Sequence, residues 1–152
     1  MENASKALMI AAGVLMGVLI LSLGIYLFHV FGDFVGNTQA EIAENELAQF
    51  NQKYLKYNGL TNLTIQDVLT VKNNALQNNY SYSSYILTPN SASANNDFID
   101  VYIQGEGWIL DMSDEELLIN ELENNASTPT YTCTVQVNTN TRRVNKITFT
   151  PN

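Results

Sequence analysis

The sequence has few of the residues that most catalytic and metal sites require. Its 152 residues include one cysteine, Cys133, and one histidine, His29. A single cysteine excludes an internal disulfide, and a lone histidine has no second histidine with which to bind a metal. We do not expect Cys133 to form a catalytic pair with His29, because His29 lies at the end of a long apolar run, on the far side of the predicted membrane anchor. No other nucleophile–base motif is present, and an anchored hydrolase would need converging acids that nothing in the sequence singles out. We therefore expect no catalytic residue, no cofactor and no metal, and predict that the protein is not an enzyme.

Charge is scarce at the N-terminal end of the chain. The first 32 residues hold only Glu2 and Lys6, which cancel, so the rest of the chain carries the whole formal net charge of -8. Nucleic acid and anionic lipid surfaces are bound by basic faces. This distribution excludes nucleic acid as an expected partner.

Residues Ala7 to Gly32 form what we call the apolar segment, which contains no Asp, Glu, Lys or Arg. As a helix, its roughly 26 residues would extend about 39 Å, against about 30 Å for the hydrocarbon core of a bilayer. A cleaved secretory signal has a shorter apolar region, of about 7–15 residues, and a small-x-small cleavage site. The aromatic exit "YLFHVFGDFVGN" does not match such a site. We predict that residues 1–32 form an uncleaved membrane or assembly helix.

The residues on either side of the apolar segment predict its orientation. Lys6 precedes the segment, and the next lysine is Lys53. The positive-inside rule then places the N-terminus in the cytoplasm and residues 33–152 outside. We expect either a cell-membrane protein with an extracytoplasmic C-terminal domain or an extracellular filament. The charges that follow the segment are acidic: Asp33, Glu41, Glu44 and Glu46.

Three glycines lie on nearly one face of the apolar segment. Gly13 and Gly17 form a GxxxG, and Gly24 follows seven residues later. Small residues at this spacing let two helix backbones approach closely in lipid, which predicts packing in a homo-oligomer. The alternative is that glycine and alanine are simply common in spanning helices.

The stretch "NTQAEIAENELAQFNQKYLKYNG" predicts an amphipathic helix over about 37–57 that continues the N-terminal helix. Its apolar positions recur at helical spacing and are expected to pack on a sheet. These positions are Ala43, Leu47, Phe50, Tyr54 and Tyr57.

The remaining elements are shorter. Thr64 with Asp67, and Ser113 with Glu116, are capping signals that open two short helices. Alternating residues indicate strands in "FIDVYIQ" and in a C-terminal hairpin made by "YTCTVQV" and "RVNKITF", while 80–87 also suggests an extended stretch. The predicted fold class is α+β. A long N-terminal helix, with an apolar transmembrane half and an amphipathic half, packs on a small antiparallel sheet with two short extra helices. Residues 33–152 are its head domain.

Two groups of charged residues lie in the predicted head domain. Acids crowd the predicted helix after Ser113, but their spacing does not match the twelve-residue calcium loop. Acids also suit the start of a helix without any metal. Arg142 and Arg143 stand on the hairpin, either as ordinary strand-end charge or as contacts to Glu115 and Glu116 of another copy.

Four Asn-x-Ser/Thr triplets begin at Asn3, Asn62, Asn79 and Asn125. Such triplets are acceptor signatures for N-linked glycans, but asparagine is abundant in this chain, so chance matches are expected.

In layout the chain resembles type IV pilins and pseudopilins. The resemblance rests on about 50 helical residues, half apolar and half amphipathic, followed by a small sheet. It implies that the apolar helix first anchors the subunit in the membrane and later packs in the core of an extracellular filament. Family members are cut after a short basic leader, which this sequence does not show, and carry a glutamate at mature position five. Here Ser5 holds that place. Neutralisation of a neighbour's N-terminus by Glu2 is therefore a hypothesis.

Two functions follow as expectations. The first is a structural subunit that assembles with copies of itself through the N-terminal helix, after residing in the membrane. The second is a single-pass anchored binding or accessory module of a cell-envelope machine that does not polymerise. Substitution of Gly13 by leucine distinguishes the two functions. It should disrupt the first, which depends on close helix packing, and leave the second intact.

Overall fold

The first element of the computed structural model is a single long helix, α1, Glu2–Leu55. The structure describes residues 2–94, 97–124 and 129–152. Glycine lowers helix stability by about 1 kcal/mol relative to alanine without necessarily ending a helix. Accordingly, α1 runs through Gly32 and Gly36 without a break.

The chain falls into two compact units, Met1–Asn45 and Glu46–Asn152, which we call the N-terminal unit and the head unit. The predicted boundary after residue 32 marks a change of composition. The boundary of packing lies further along the same helix, where side chains of α1 begin to be buried.

Three further helices follow: α2, Ile65–Tyr80; α3, Ser91–Ala94; and α4, Asp114–Asn124. At the start of α2, the Thr64 backbone N–H donates to Asp67 Oδ2 at 2.8 Å. At the start of α4, Ser113 Oγ accepts a hydrogen bond from the Glu116 N–H at 3.1 Å. The two predicted capping signals therefore begin helices as expected. The sequence did not predict α3, which makes the extra helices three rather than two.

Four strands form one sheet in the order β2-β1-β4-β3. They are β1, Asp100–Ile103; β2, Gly107–Trp108; β3, Tyr131–Val137; and β4, Val144–Pro151. The predicted hairpin is present, since β3 and β4 pair antiparallel with Cys133 opposite Phe149. A turn follows β1 and leads into β2, which pairs with it antiparallel.

The α+β class is confirmed, but the sheet is mixed rather than wholly antiparallel. Strand β1 pairs with β4 in parallel, with Val101 opposite Ile147. Antiparallel neighbours can be joined by a tight turn, whereas parallel neighbours need a longer crossover. Here the crossover from β1 to β4 includes β2, α4 and β3.

The expected extended stretch at 80–87 is wrong. Tyr80 ends α2, and the chain then turns, with the Tyr82 N–H donating to the Asn79 carbonyl at 3.1 Å. Tyr85 instead packs edge-on against Phe98, with the ring centroids 4.9 Å apart. Aromatic side chains favour a strand where they can pack against neighbours on the adjacent strand. Here they pack against another aromatic ring instead.

One hydrophobic core fills the head unit and joins α1, α2, α4 and the sheet. Tyr54 from the end of α1 is 2% exposed, and Val68 of α2 is fully buried. Strand alternation brings one face of the sheet into the core. The buried apolar strand residues are Val101, Ile103, Tyr131, Cys133, Val144, Ile147 and Phe149.

The outer edge of β3 is covered by the segment that follows α1. The Gly59 N–H donates to the Cys133 carbonyl at 2.8 Å, and the Cys133 N–H donates to the Leu60 carbonyl at 3.0 Å. Leu63 forms a bridge to Tyr131. Residues 59–63 therefore pair with the strand edge although they form no strand of their own.

Candidate functional site

The apolar segment forms an apolar surface that no other part of the described chain covers. Its large side chains are exposed, from 45% for Val30 to 85% for Phe28. An 18-residue window of α1 has a mean hydropathy of 2.6, and none of that window is buried. Soluble monomers rarely expose a contiguous apolar patch of more than a few hundred Å². Within the described ranges, α1 is the one helix long and apolar enough to cross a membrane.

The backbone and hydroxyl groups of α1 suit an apolar medium. Backbone groups of a helix pair within the helix, as a bilayer core requires. Ser22 Oγ donates to the Val18 carbonyl at 2.8 Å, and Thr38 Oγ1 donates to the Phe34 carbonyl at 2.8 Å. Both hydroxyls are thereby satisfied inside the helix.

The three glycines present bare backbone on this helix. At 100° per residue, Gly13, Gly17 and Gly24 lie within an arc of about 40° along about 16 Å of helix. A Cβ added at any of them would meet no other atom within 4 Å in the described chain. Packing inside the subunit therefore does not require glycine at these positions, although each lowers helix stability by about 1 kcal/mol relative to alanine. The face is free for close approach by another helix.

Glu2 is paired within its own helix. Lys6 Nζ lies 2.9 Å from Glu2 Oε1, four residues along, and both side chains are largely exposed. Exposed i,i+4 pairs contribute little, and they exchange readily for another partner.

The amphipathic stripe of α1 enters the head core only towards its end. Tyr54 is buried, and Phe50 and Tyr57 pack against the core. Leu47 is half-buried. Ala43 is exposed and belongs to the N-terminal unit, and its packing on the sheet stays a prediction.

Arg143 is held inside its own head unit. Its guanidinium lies 3.9 Å from the Phe50 ring centroid, and Nη2 donates to Asn78 Oδ1 and to the Tyr82 hydroxyl, each at 3.4 Å. Its Nε is 3.8 Å from Asp97 Oδ1, which is an ion-pair distance but too long for a hydrogen bond. These contacts stabilise the head unit, so Arg143 is not a free cation for another copy.

The other three predicted charges for contacts between copies lie on the surface. Arg142, Glu115 and Glu116 are exposed. Arg142 has a left-handed backbone, with φ 57°, at the turn before β4. Their proposed contact between subunits stays a prediction.

Two asparagines near the end of α1 bind the hairpin, and the sequence reasoning missed both. Asn51 Nδ2 donates to the Arg142 carbonyl at 2.7 Å, while its Oδ1 accepts from the Val144 N–H at 2.9 Å. Asn58 Oδ1 accepts from the Val135 N–H at 2.9 Å. The signal in the sequence was that each asparagine directly follows a residue of the apolar stripe, Phe50 or Tyr57.

Buried ionisable groups of the head unit are used structurally. Asp100 is 3% exposed and accepts hydrogen bonds from Ser91 Oγ, the Ala92 N–H and Trp108 Nε1, at 3.0 to 3.1 Å. Burial raises the pKa of the Cys133 thiol to about 11, which makes it a poor nucleophile at neutral pH.

A buried lysine joins α2 to the start of α4. Lys72, 2% exposed, places Nζ 2.7 Å from Asp114 Oδ1, and Asn73 Nδ2 donates to Asp114 Oδ2 at 3.0 Å. These hydrogen bonds, from Lys72 first and then Asn73, lower the pKa of Asp114. No group of acids, histidines and cysteines suited to a metal occurs among the described residues.

A groove of about 220 Å³ separates the end of α1 from α2. Its lining offers amides, hydroxyls and one cation but no carboxylate to act as a base. The lining residues are Phe50, Lys53, Tyr54, Asn74, Gln77, Asn78 and Ser81.

Comparison with known proteins gave no match to a family model, to a curated protein or to a solved structure.

Proposed function

We propose that this chain is the structural subunit of a pilus-like filament, which assembles by packing its apolar segment against the apolar segments of other copies. Before assembly, the same segment lies in the cell membrane, with the head unit on the extracytoplasmic side. The observation that carries the proposal is the uncovered glycine face at Gly13, Gly17 and Gly24, which packing within the chain does not require.

Three further features support assembly through α1. The segment is apolar on all sides, so it is suited to burial among like helices as well as among lipids. The Ser22 hydroxyl donates to a carbonyl of its own helix, so packing against another helix does not leave it without a partner. The last turns of the same helix are built into the head core through Phe50, Asn51 and Tyr54.

The test is electron microscopy of material purified from the cell surface, comparing two variants. Gly13→Leu places a bulky side chain on the glycine face and is expected to abolish filaments. Ala11→Leu makes the same kind of change about 160° away around the helix and is expected to leave most filaments intact. Membrane levels of both variants, measured by immunoblotting, control for insertion. Equal filament yield from the two variants contradicts the proposal.

A second candidate function is a single-pass anchored module that binds a partner in a cell-envelope machine. In this candidate Glu2 stays paired with its own Lys6 and needs no neighbouring subunit. This candidate predicts that Gly13→Leu retains function. It also predicts monomers in detergent and single spans in native membranes.

A further inference from the structure

The four Asn-x-Ser/Thr triplets lie in different structural settings. Asn3 is inside α1 and Asn79 is inside α2. Asn125 lies outside the described residues. Asn62 lies in the non-helical segment between α1 and α2.

Asn79 is unable to carry a glycan in this fold. Its side chain is fully buried, its Nδ2 donates to the Ile99 carbonyl at 2.9 Å, and its Oδ1 accepts from the Ile99 N–H at 2.8 Å. A sugar on Nδ2 would have to occupy the core and would remove a hydrogen bond from buried backbone.

Asn62 has the opposite setting. The next residue, Leu63, is 5% exposed and points into the core, where its backbone pairs with Tyr131. Successive side chains of an extended chain point to opposite sides, and Asn62 is accordingly exposed. Within the described ranges, its amide makes no hydrogen bond that modification would break.

The third residue of the triplet is accessible as well. Thr64 is exposed and has an extended backbone, with φ -91° and ψ 166°. Its hydroxyl donates to Asp67 Oδ2 at 2.8 Å at the protein surface, where water can replace that bond. The acceptor residue Asn62 and the hydroxyl residue Thr64 are therefore both exposed to an enzyme that reads an Asn-x-Thr segment, while Leu63 between them is buried.

We propose that Asn62 is an N-glycosylation site. Asn62 Nδ2 forms a bond to the anomeric carbon of an oligosaccharide carried on a lipid phosphate. The bond from that carbon to the phosphate oxygen breaks, the lipid phosphate leaves with the electron pair, and the amide loses one proton. The proposal rests on the proposed function in one respect, the extracytoplasmic placement of the head unit.

The experiment uses the full chain, expressed in a host whose secretory membrane glycosylates Asn-x-Ser/Thr, with an Asn-Gly-Thr reporter tag after Asn152. Folded protein is purified in detergent and digested with trypsin. Cleavage after Lys56 and Lys72 gives a fragment, 57–72, whose one Asn-x-Ser/Thr triplet begins at Asn62. Asn79 falls in a separate fragment, 73–142. Enzymatic glycan removal converts an occupied asparagine to aspartate, which mass spectrometry identifies.

We expect fragment 57–72 to be occupied and Asn79 to be unmodified. Asn62→Gln should remove the whole mass increment of fragment 57–72, and Thr64→Ser, which keeps both the acceptor signature and the helix cap, should retain it. An occupied reporter with an unmodified fragment 57–72 overturns the proposal and leaves the outward placement intact. Lack of glycan on both overturns the proposal and the placement together, and an occupied Asn79 in folded protein also overturns the proposal. None of these results depends on the filament, which the glycine-face variants test separately.

Discussion

Replacement of Asn79 by alanine tests how the head unit holds its first strand in place. The side chain bonds both backbone groups of Ile99, the residue just before β1. Asn79→Ala leaves that N–H and that carbonyl buried without a partner, because Ile99 is itself fully buried.

The expected loss follows from these two groups. A buried polar group left unsatisfied costs about 1–3 kcal/mol, so two of them cost roughly 2–6 kcal/mol. Alanine offsets about 0.5 kcal/mol of this loss, because its helix propensity is higher than that of asparagine. We expect the free energy of unfolding to fall by about 3 kcal/mol, a large part of the roughly 5–15 kcal/mol that holds a domain together.

The assay is urea denaturation of the full chain in detergent, followed by the fluorescence of Trp108, the one tryptophan in the sequence. Trp108 is a suitable probe because it pairs with β1 and its Nε1 donates to the buried Asp100. With a typical urea slope of about 1–3 kcal/mol/M, a loss of about 3 kcal/mol should lower the midpoint by roughly 1–3 M. Gln77→Ala, at an exposed position of the same helix, is the control and should change stability by less than about 0.5 kcal/mol.

A loss below about 1 kcal/mol for Asn79→Ala, at an unchanged slope, would refute the reasoning. It would mean that the Ile99 backbone finds other partners, so the amide of Asn79 is not what holds β1 beside α2.

Three further predictions concern the head unit. The Asp114 carboxylate has a lowered folded pKa, so its stabilisation should be complete above its unfolded value of about 3.8 and be lost as the pH falls through the folded value. Asp114→Asn should remove this pH-dependent change in stability, as measured by urea denaturation at a series of acid pH values. The change should be under about 1 kcal/mol, because the Asp114 side chain is half exposed. Asn51→Ala should lower the free energy of unfolding by about 1–2 kcal/mol, measured by the same urea assay, since the hairpin then loses two hydrogen bonds to α1. Cys133 should react with a maleimide at pH 8 only after denaturation, because it is fully buried and its thiol pKa is about 11; labelling of the folded protein would contradict this.

Local signals in the sequence predicted most of the elements. The capping pairs at Thr64 and Ser113 place the starts of α2 and α4 because the same residues make the bonds that satisfy free N–H groups. The alternation in β3 and β4 identifies the hairpin because a short connection brings adjacent strands together.

Pairing between distant segments could not be predicted in this way. Alternation in β1 shows which face is buried but not which strand lies beside it, and the parallel pairing with β4 depends on the whole intervening chain. Tyr82 and Tyr85 have strand propensity, yet their rings pack edge-on against Phe98 and the segment forms no strand.

The same limit applies to the candidate site. The glycine spacing could be read directly from the sequence, because a helix has a fixed period. The engagement of Arg143 with Phe50 and Tyr82 could not, because it joins three elements far apart in sequence. Asn62 and Asn79 are equivalent as motifs, and only the fold distinguishes an exposed amide from a buried one.

The covered edge of β3 has a consequence for heads held at high density. Subunits arrayed on a filament or crowded on a membrane meet one another at very high local concentrations, where an open strand edge would recruit neighbouring chains into a continuing sheet. Here residues 59–63 already occupy the backbone of β3, and the opposite edge, β2, is only two residues long. In the part of the chain that the structure describes, the sheet therefore offers a neighbouring head little open strand edge with which to pair.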